Sequence, residues 1–151
     1  MKLTTFRGQM ESSTQNIINL HTTDGKTGYK LRRLEVIQKS PGSASKDNEG
    51  LIQIWKVSQD VTDVPSISTI DFSNQTLLGI AFYSGDPNSD QEPNEFISIF
   101  DEEIFNQDIF ITYYDVRGVN DPMNYHIELE QVKLDSNETA VATLKNIKNR
   151  S

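Results

Sequence analysis

Cysteine is absent from the 151 residues. That excludes disulfides, thiolate nucleophiles and cysteine-based zinc sites, and it leaves the redox compartment unreadable. Histidine is nearly absent, with only His21 and His126, so no histidine-built metal or catalytic centre is expected. Cations are in deficit: 14 Lys and Arg against 22 Asp and Glu give a formal charge of −8. Affinity for a phosphate backbone comes from clustered cations that release counterions, so this balance argues against a nucleic-acid partner. Apolar residues make up only 35% of the chain, and no run approaches the length of a membrane span. The start, Met1 to Phe6, lacks the apolar core of a secretion signal. The expectation is a protein that stays where it is made, or in an assembly built there, with no membrane contact.

What is present is a set of short segments rich in β-formers. Phe110–Tyr114 and Tyr125–Leu129 carry β-branched and aromatic residues, and Gly118, Asn120, Asp121 and Pro122 between them supply a reversal. This pair reads as an antiparallel hairpin. Further strands are expected over Asn16–Thr22, Tyr29–Lys39, Leu51–Gln59, Thr69–Phe72, Thr76–Tyr83 and Phe96–Phe100. In Tyr29–Lys39, Leu31 lies on one phase and Leu34 and Val36 on the other, which predicts a β-bulge. Leu51–Val57 leaves few polar positions, so both its faces should be covered. Leu78, Ile80 and Phe82 alternate and are expected inward. Val61–Ser68, with Pro65, reads as an irregular link.

The ends differ from this body. Residues 1–15 have only Leu3 and Phe6 as early apolar anchors and read as an extended N-terminal arm. Residues 135–148 read as a helix. Asp135 and Glu138 form a capping box, and Ala140, Val141, Leu144 and Ile147 make an apolar stripe for the sheet or a partner. The fold expected is mainly β, a single domain over 1–151: an antiparallel sandwich, jelly-roll-like, of seven or eight strands with one C-terminal helix.

Motifs that carry chemistry fail on inspection. Gly25-Lys26-Thr27 resembles the tail of a phosphate loop, yet the glycine needed five residues earlier is Leu20, and a strand rather than a helix follows. Asp86, Asn88 and Asp90 open like a calcium loop, but Gln91 and Ile97 stand where glycine and a bidentate glutamate are wanted. Asp101-Glu102-Glu103 offers paired carboxylates with no identifiable cleft and reads as a solvated turn. His126 alternates with Ile127 and should point away from the core. Asn137-Glu138-Thr139 matches a glycosylation sequon and, without a secretion signal, is read as coincidence.

Three stretches carry a resemblance: Ile99–Thr112 (IFDEEIFNQDIFIT), Met123–Asp135 (MNYHIELEQVKLD) and Ala140–Lys148 (AVATLKNIK). Together they resemble uncharacterised virion structural proteins of tailed bacteriophages from marine and cyanobacterial hosts. The Tyr29 stretch and Asp71-Phe72-Ser73 are weakly similar as well. The resemblance implies a non-enzymatic virion component with no catalytic residues to carry over. The expected role is a head decoration or cement protein, bound to the major capsid protein or other virion proteins and favouring a homotrimer. The alternative is a tail, neck or fibre-associated sandwich that binds host-surface carbohydrate. No cofactor or metal is expected. The candidate interface residues are Leu3, Phe6, Trp55, Tyr113 and Tyr114.

Overall fold

The computed structural model describes residues 2–40, 48–85, 95–118 and 121–149. Ten elements follow in chain order: β1 (Lys2–Met10), β2 (Thr14–Ile18), β3 (Thr27–Gln38), β4 (Asn48–Trp55), α1 (Val64–Ser68), β5 (Leu77–Gly85), β6 (Glu95–Phe100), β7 (Ile109–Asp115), β8 (Met123–Lys133) and α2 (Ser136–Asn149). The strands form two antiparallel sheets, β1-β8-β3 and β2-β7-β4-β5-β6. This is a mainly β sandwich with a C-terminal helix. A jelly roll pairs eight strands as 1 with 8, 2 with 7, 3 with 6 and 4 with 5. Three of those pairs are present here, but β6 stays on β5 and β3 has no ladder with it.

The inward rows follow from period-two alternation. On the small sheet, Leu31, Leu34, Ile127 and Leu129 face the core, as do Met10 and Met123. They meet Ile52, Ile54, Ile109, Ile111 and Tyr113 of the large sheet. Removing each such side chain from water contributes about 1.5–3 kcal/mol. The expected bulge is present as a register shift between Leu31 and Arg33. On α2, Asp135 Oδ1 accepts from Glu138 N at 2.8 Å while Glu138 Oε1 accepts from Asp135 N at 3.2 Å. The capping box is therefore formed in both directions.

Several expectations are corrected. Phe110–Tyr114 and Tyr125–Leu129 are both strands, but they are not a hairpin: β7 pairs with β2 and β4, and β8 with β1 and β3. Both segments are apolar on alternate residues, and each satisfies that pattern by facing the other across the core. Thr69–Phe72 is a turn instead of a strand, because Asp71 Oδ1 accepts from the Ser73 amide and hydroxyl, the side-chain turn that competes with a ladder. Val61–Ser68 contains a short helix, started by Pro65 in its first turn. In β5, the register against β4 skips Leu78, opposite the step from Ile54 to Trp55, and this splits the expected inward set. Leu78 enters the inter-sheet core, whereas Ile80 and Phe82 join a second cluster with Leu51, Trp55, Leu77 and Phe110.

The N-terminal segment is a full strand. Lys2 to Met10 pairs residue by residue with Gln131 to Met123. Its inward row holds only Phe6 and Met10 as large apolar groups because Gly8 leaves room for a ring. A β-carbon on Gly8 would lie 2.7 Å from Tyr125 Oη. Met10 is 2% exposed. Met10→Ala should therefore lower the unfolding free energy by about 2–5 kcal/mol in urea denaturation. A frayed arm would show a loss below about 0.5 kcal/mol, and that result would contradict the strand.

Candidate contact surfaces and groove

The five interface candidates read from the sequence separate sharply. Leu3 is 46% exposed on β1, and Phe6 and Tyr114 are half-buried. Trp55 is 3% exposed, and its indole Nε1 donates to Thr112 Oγ1 at 2.9 Å. Tyr113 is fully buried, and its hydroxyl donates to the Asp121 carbonyl at 2.7 Å. Burial pushes the Tyr113 hydroxyl far above its ordinary value, and the nearby Asp115 and Asp121 carboxylates add to the shift. Trp55 and Tyr113 are thus core residues, held by burial and a buried hydrogen bond each.

Among the exposed large apolar side chains, five lie along one flank. Ile97 and Ile99 of β6 stand on its outer face at 37% and 47% exposure, and Phe72, at 65%, shares a shallow depression with Ile99. Beyond it, a charged groove holds Lys56, Asp101, Glu103 and Lys145. Glu103 and Lys145 also border α2, where Val141 and Leu144 are exposed. The expected apolar stripe of α2 is therefore turned largely outward. Its buried contact is Ala142, while the half-buried Thr143 hydroxyl accepts from Asn106 Nδ2 at 2.9 Å.

Part of the acidic run is structural. Lys56 is 2% exposed, and its Nζ meets Glu103 Oε1 at 2.9 Å, so this glutamate neutralises a buried cation. No local signal in the sequence links residues 47 positions apart.

A second feature crosses the outer face of the small sheet. A groove of about 890 Å³ is lined by Arg7–Gln9 of β1, Glu35–Ile37 of β3 and Asn124–His126 of β8, with Tyr83 and Phe96 on its β3 side. His126 is exposed there, as the alternation predicts. The sequence offered no contiguous sign of this groove, because each strand supplies only three residues. Among the described residues, no three or more His, Asp or Glu side chains are grouped to hold a metal ion, and no helix is long and apolar enough to cross a membrane. Residues 86–91, the calcium-like opening, lie outside the described residues.

No family model matches the sequence, and no curated protein matches it.

His21 meets Asp108, with Nδ1 2.7 Å from Oδ1. Burial alone would raise the Asp108 pKa, but the His21 ring and the amides of His21 and Leu20 outweigh it and hold the carboxyl below its ordinary value. A depressed folded pKa gives stability that is present above the unfolded value, about 3.9, and lost as pH falls through the folded one. Asp108→Asn should cost about 1–3 kcal/mol at pH 6 and flatten the fall in melting temperature below pH 4, followed by circular dichroism. Parallel wild-type and variant curves would count against this linkage.

Proposed function

We propose that this protein is a non-enzymatic structural component of a tailed-phage virion, a head decoration or cement protein that binds the capsid lattice. The observation that carries this reading is the apolar flank. Phe72, Ile97, Ile99, Val141 and Leu144 are all exposed, Phe72 on the rim of the charged groove and Val141 beside Glu103 and Lys145, which also line it. A small sandwich that holds apolar anchors outside its core gains by covering them against a neighbour. The exposed acidic side chain of Asp101 then sets orientation and excludes wrong partners more than it adds affinity. The resemblance of the Ile99–Thr112, Met123–Asp135 and Ala140–Lys148 stretches supports the virion setting. Trp55 and Tyr113 drop out as contacts, and Leu3 remains a peripheral one. Repetition across a symmetric lattice, with a homotrimer as the natural unit, would multiply individually modest contacts.

Immunogold labelling of intact particles tests the location. Label across the head supports a decoration role, and label at the neck or tail replaces it with the tail-associated alternative. Phe72→Ser removes an exposed anchor without opening the core, so the variant should fold as the parent does. It should reduce bound copies per particle at least about tenfold in a reconstitution assay, the loss given by one interface hot spot of about 1.4 kcal/mol or more. Unchanged occupancy would rule this flank out as the lattice contact.

A further inference from the structure

The groove on the small sheet has a construction that the lattice reading does not use. Register places Arg7, His126 and Glu35 in one cross-strand row, and Gln9, Asn124 and Ile37 in another. The two rows lie on the same face, two residues and therefore about 7 Å apart. Between them, the row Gly8, Tyr125 and Val36 turns inward, with the Tyr125 ring lying against Gly8. The outer surface is thus a trough between two ridges. Phe96, 44% exposed, stands at one end.

Apart from the exposed aliphatic Ile37, the ridge groups are planar and carry both hydrogen-bond senses. Gln9 Nε2 donates to Asn124 Oδ1 at 3.0 Å, which fixes both amides and leaves Gln9 Oε1 to accept and Asn124 Nδ2 to donate. Arg33 Nε donates to Glu35 Oε1 at 2.8 Å, which holds the Glu35 carboxylate in place at the groove. Arg7 supplies a guanidinium fork. In a chain of formal charge −8, the trough sets the single cation Arg7 against the single carboxylate Glu35. Such a surface suits neither a polyanion, which needs clustered cations, nor a strongly basic partner.

We propose that this trough binds a neutral oligosaccharide. Sugar hydroxyls donate and accept at once, matching the paired amides, guanidinium and carboxylate, and the apolar face of a sugar ring packs on the exposed Phe96 ring. A chain of rings can follow the trough across all three strands. The lining residues lie on strands, and the site stands whether the protein sits on a head or a tail.

The test titrates the isotope-labelled full chain with neutral tetra- to hexasaccharides built on glucose, mannose, galactose and N-acetylglucosamine, read by amide shifts in NMR. The expected result is that at least one moves the amides of Arg7–Gln9, Glu35–Ile37 and Asn124–His126 and leaves Ile17 and Ile52 in place. Gln9→Ala with Asn124→Ala, and separately Phe96→Ala, should weaken that binding at least tenfold. Unchanged emission from the buried Trp55 on the other sheet verifies that the variants fold. The proposal is overturned if no saccharide moves these amides, if the shifts map elsewhere, or if the variants bind as the parent does. Tighter binding of an oligothymidylate or of a basic peptide at the same amides would overturn it too.

Discussion

Two-sided burial of β4 is the constraint on which the rest of the structure depends. Leu51, Ile52, Gln53, Ile54 and Trp55 are all at most 3% exposed, so neither face of this strand can meet water. Ile52 and Ile54 face the small sheet, which obliges that sheet to exist as a layer. Leu51 and Trp55 face the other way, and the segment after β4 must fold back across them. Gln53 anchors this return, its Nε2 donating to the Ile67 carbonyl at 3.1 Å and the Thr69 carbonyl at 3.2 Å. Leaving that buried amide nitrogen without acceptors would be costly, so the crossing segment and the strand stabilise each other through it. The same crossing brings Phe72 to the flank beside Ile99, which links the contact surface to the core strand.

The existence of most strands was legible because period-two alternation reports directly which residues face inward. Their partners were not. Alternation is the same whether a strand pairs with its neighbour in the chain or crosses to the other sheet, and glycine, asparagine and proline mark both kinds of connection. Of the seven connections between successive strands, only β4 to β5 and β5 to β6 join sheet neighbours. Phe110–Tyr114 and Tyr125–Leu129 show the consequence: correct as strands, they belong to opposite layers. The N-terminal strand was obscured for another reason. Its inward row, Thr4, Phe6, Gly8 and Met10, is half small or polar, and only Tyr125 reaching over Gly8 completes the packing.

The contact surfaces were less readable than the fold. Aromatic residues signal interfaces and cores alike, and the burial that distinguishes them depends on nonlocal cover: Trp55 and Tyr113 went inside, whereas Phe72 stayed out on an Asp-Ser turn. The helix stripe was read correctly as apolar. Its direction was set by Asn106, whose Nδ2 bonds both the Gly25 carbonyl and the Thr143 hydroxyl and so fixes which side of α2 faces the sheet. The groove depends on three triplets spread from residue 7 to residue 126 and held together only by register.

The missing pairing of β3 with β6 bears on how such a protein would assemble. An open edge invites sheet extension and aggregation. Here the edge of β3 is interrupted at three points. Tyr29 exchanges both backbone bonds with Phe105 at 2.8 and 2.9 Å, the ladder shifts between Leu31 and Arg33, and the Leu34 carbonyl accepts from the Ser98 hydroxyl at 2.9 Å. A bulge twists an edge out of register with any incoming strand, and the Ser98 bond occupies an acceptor that such a strand would need. Backbone addition at this edge is thereby disfavoured, and any recognition there would fall to side chains, which discriminate between partners where a bare strand edge does not. The edge of β3 is thus partly closed, while Phe72, Ile97 and Ile99 on the adjoining flank keep apolar side chains in water.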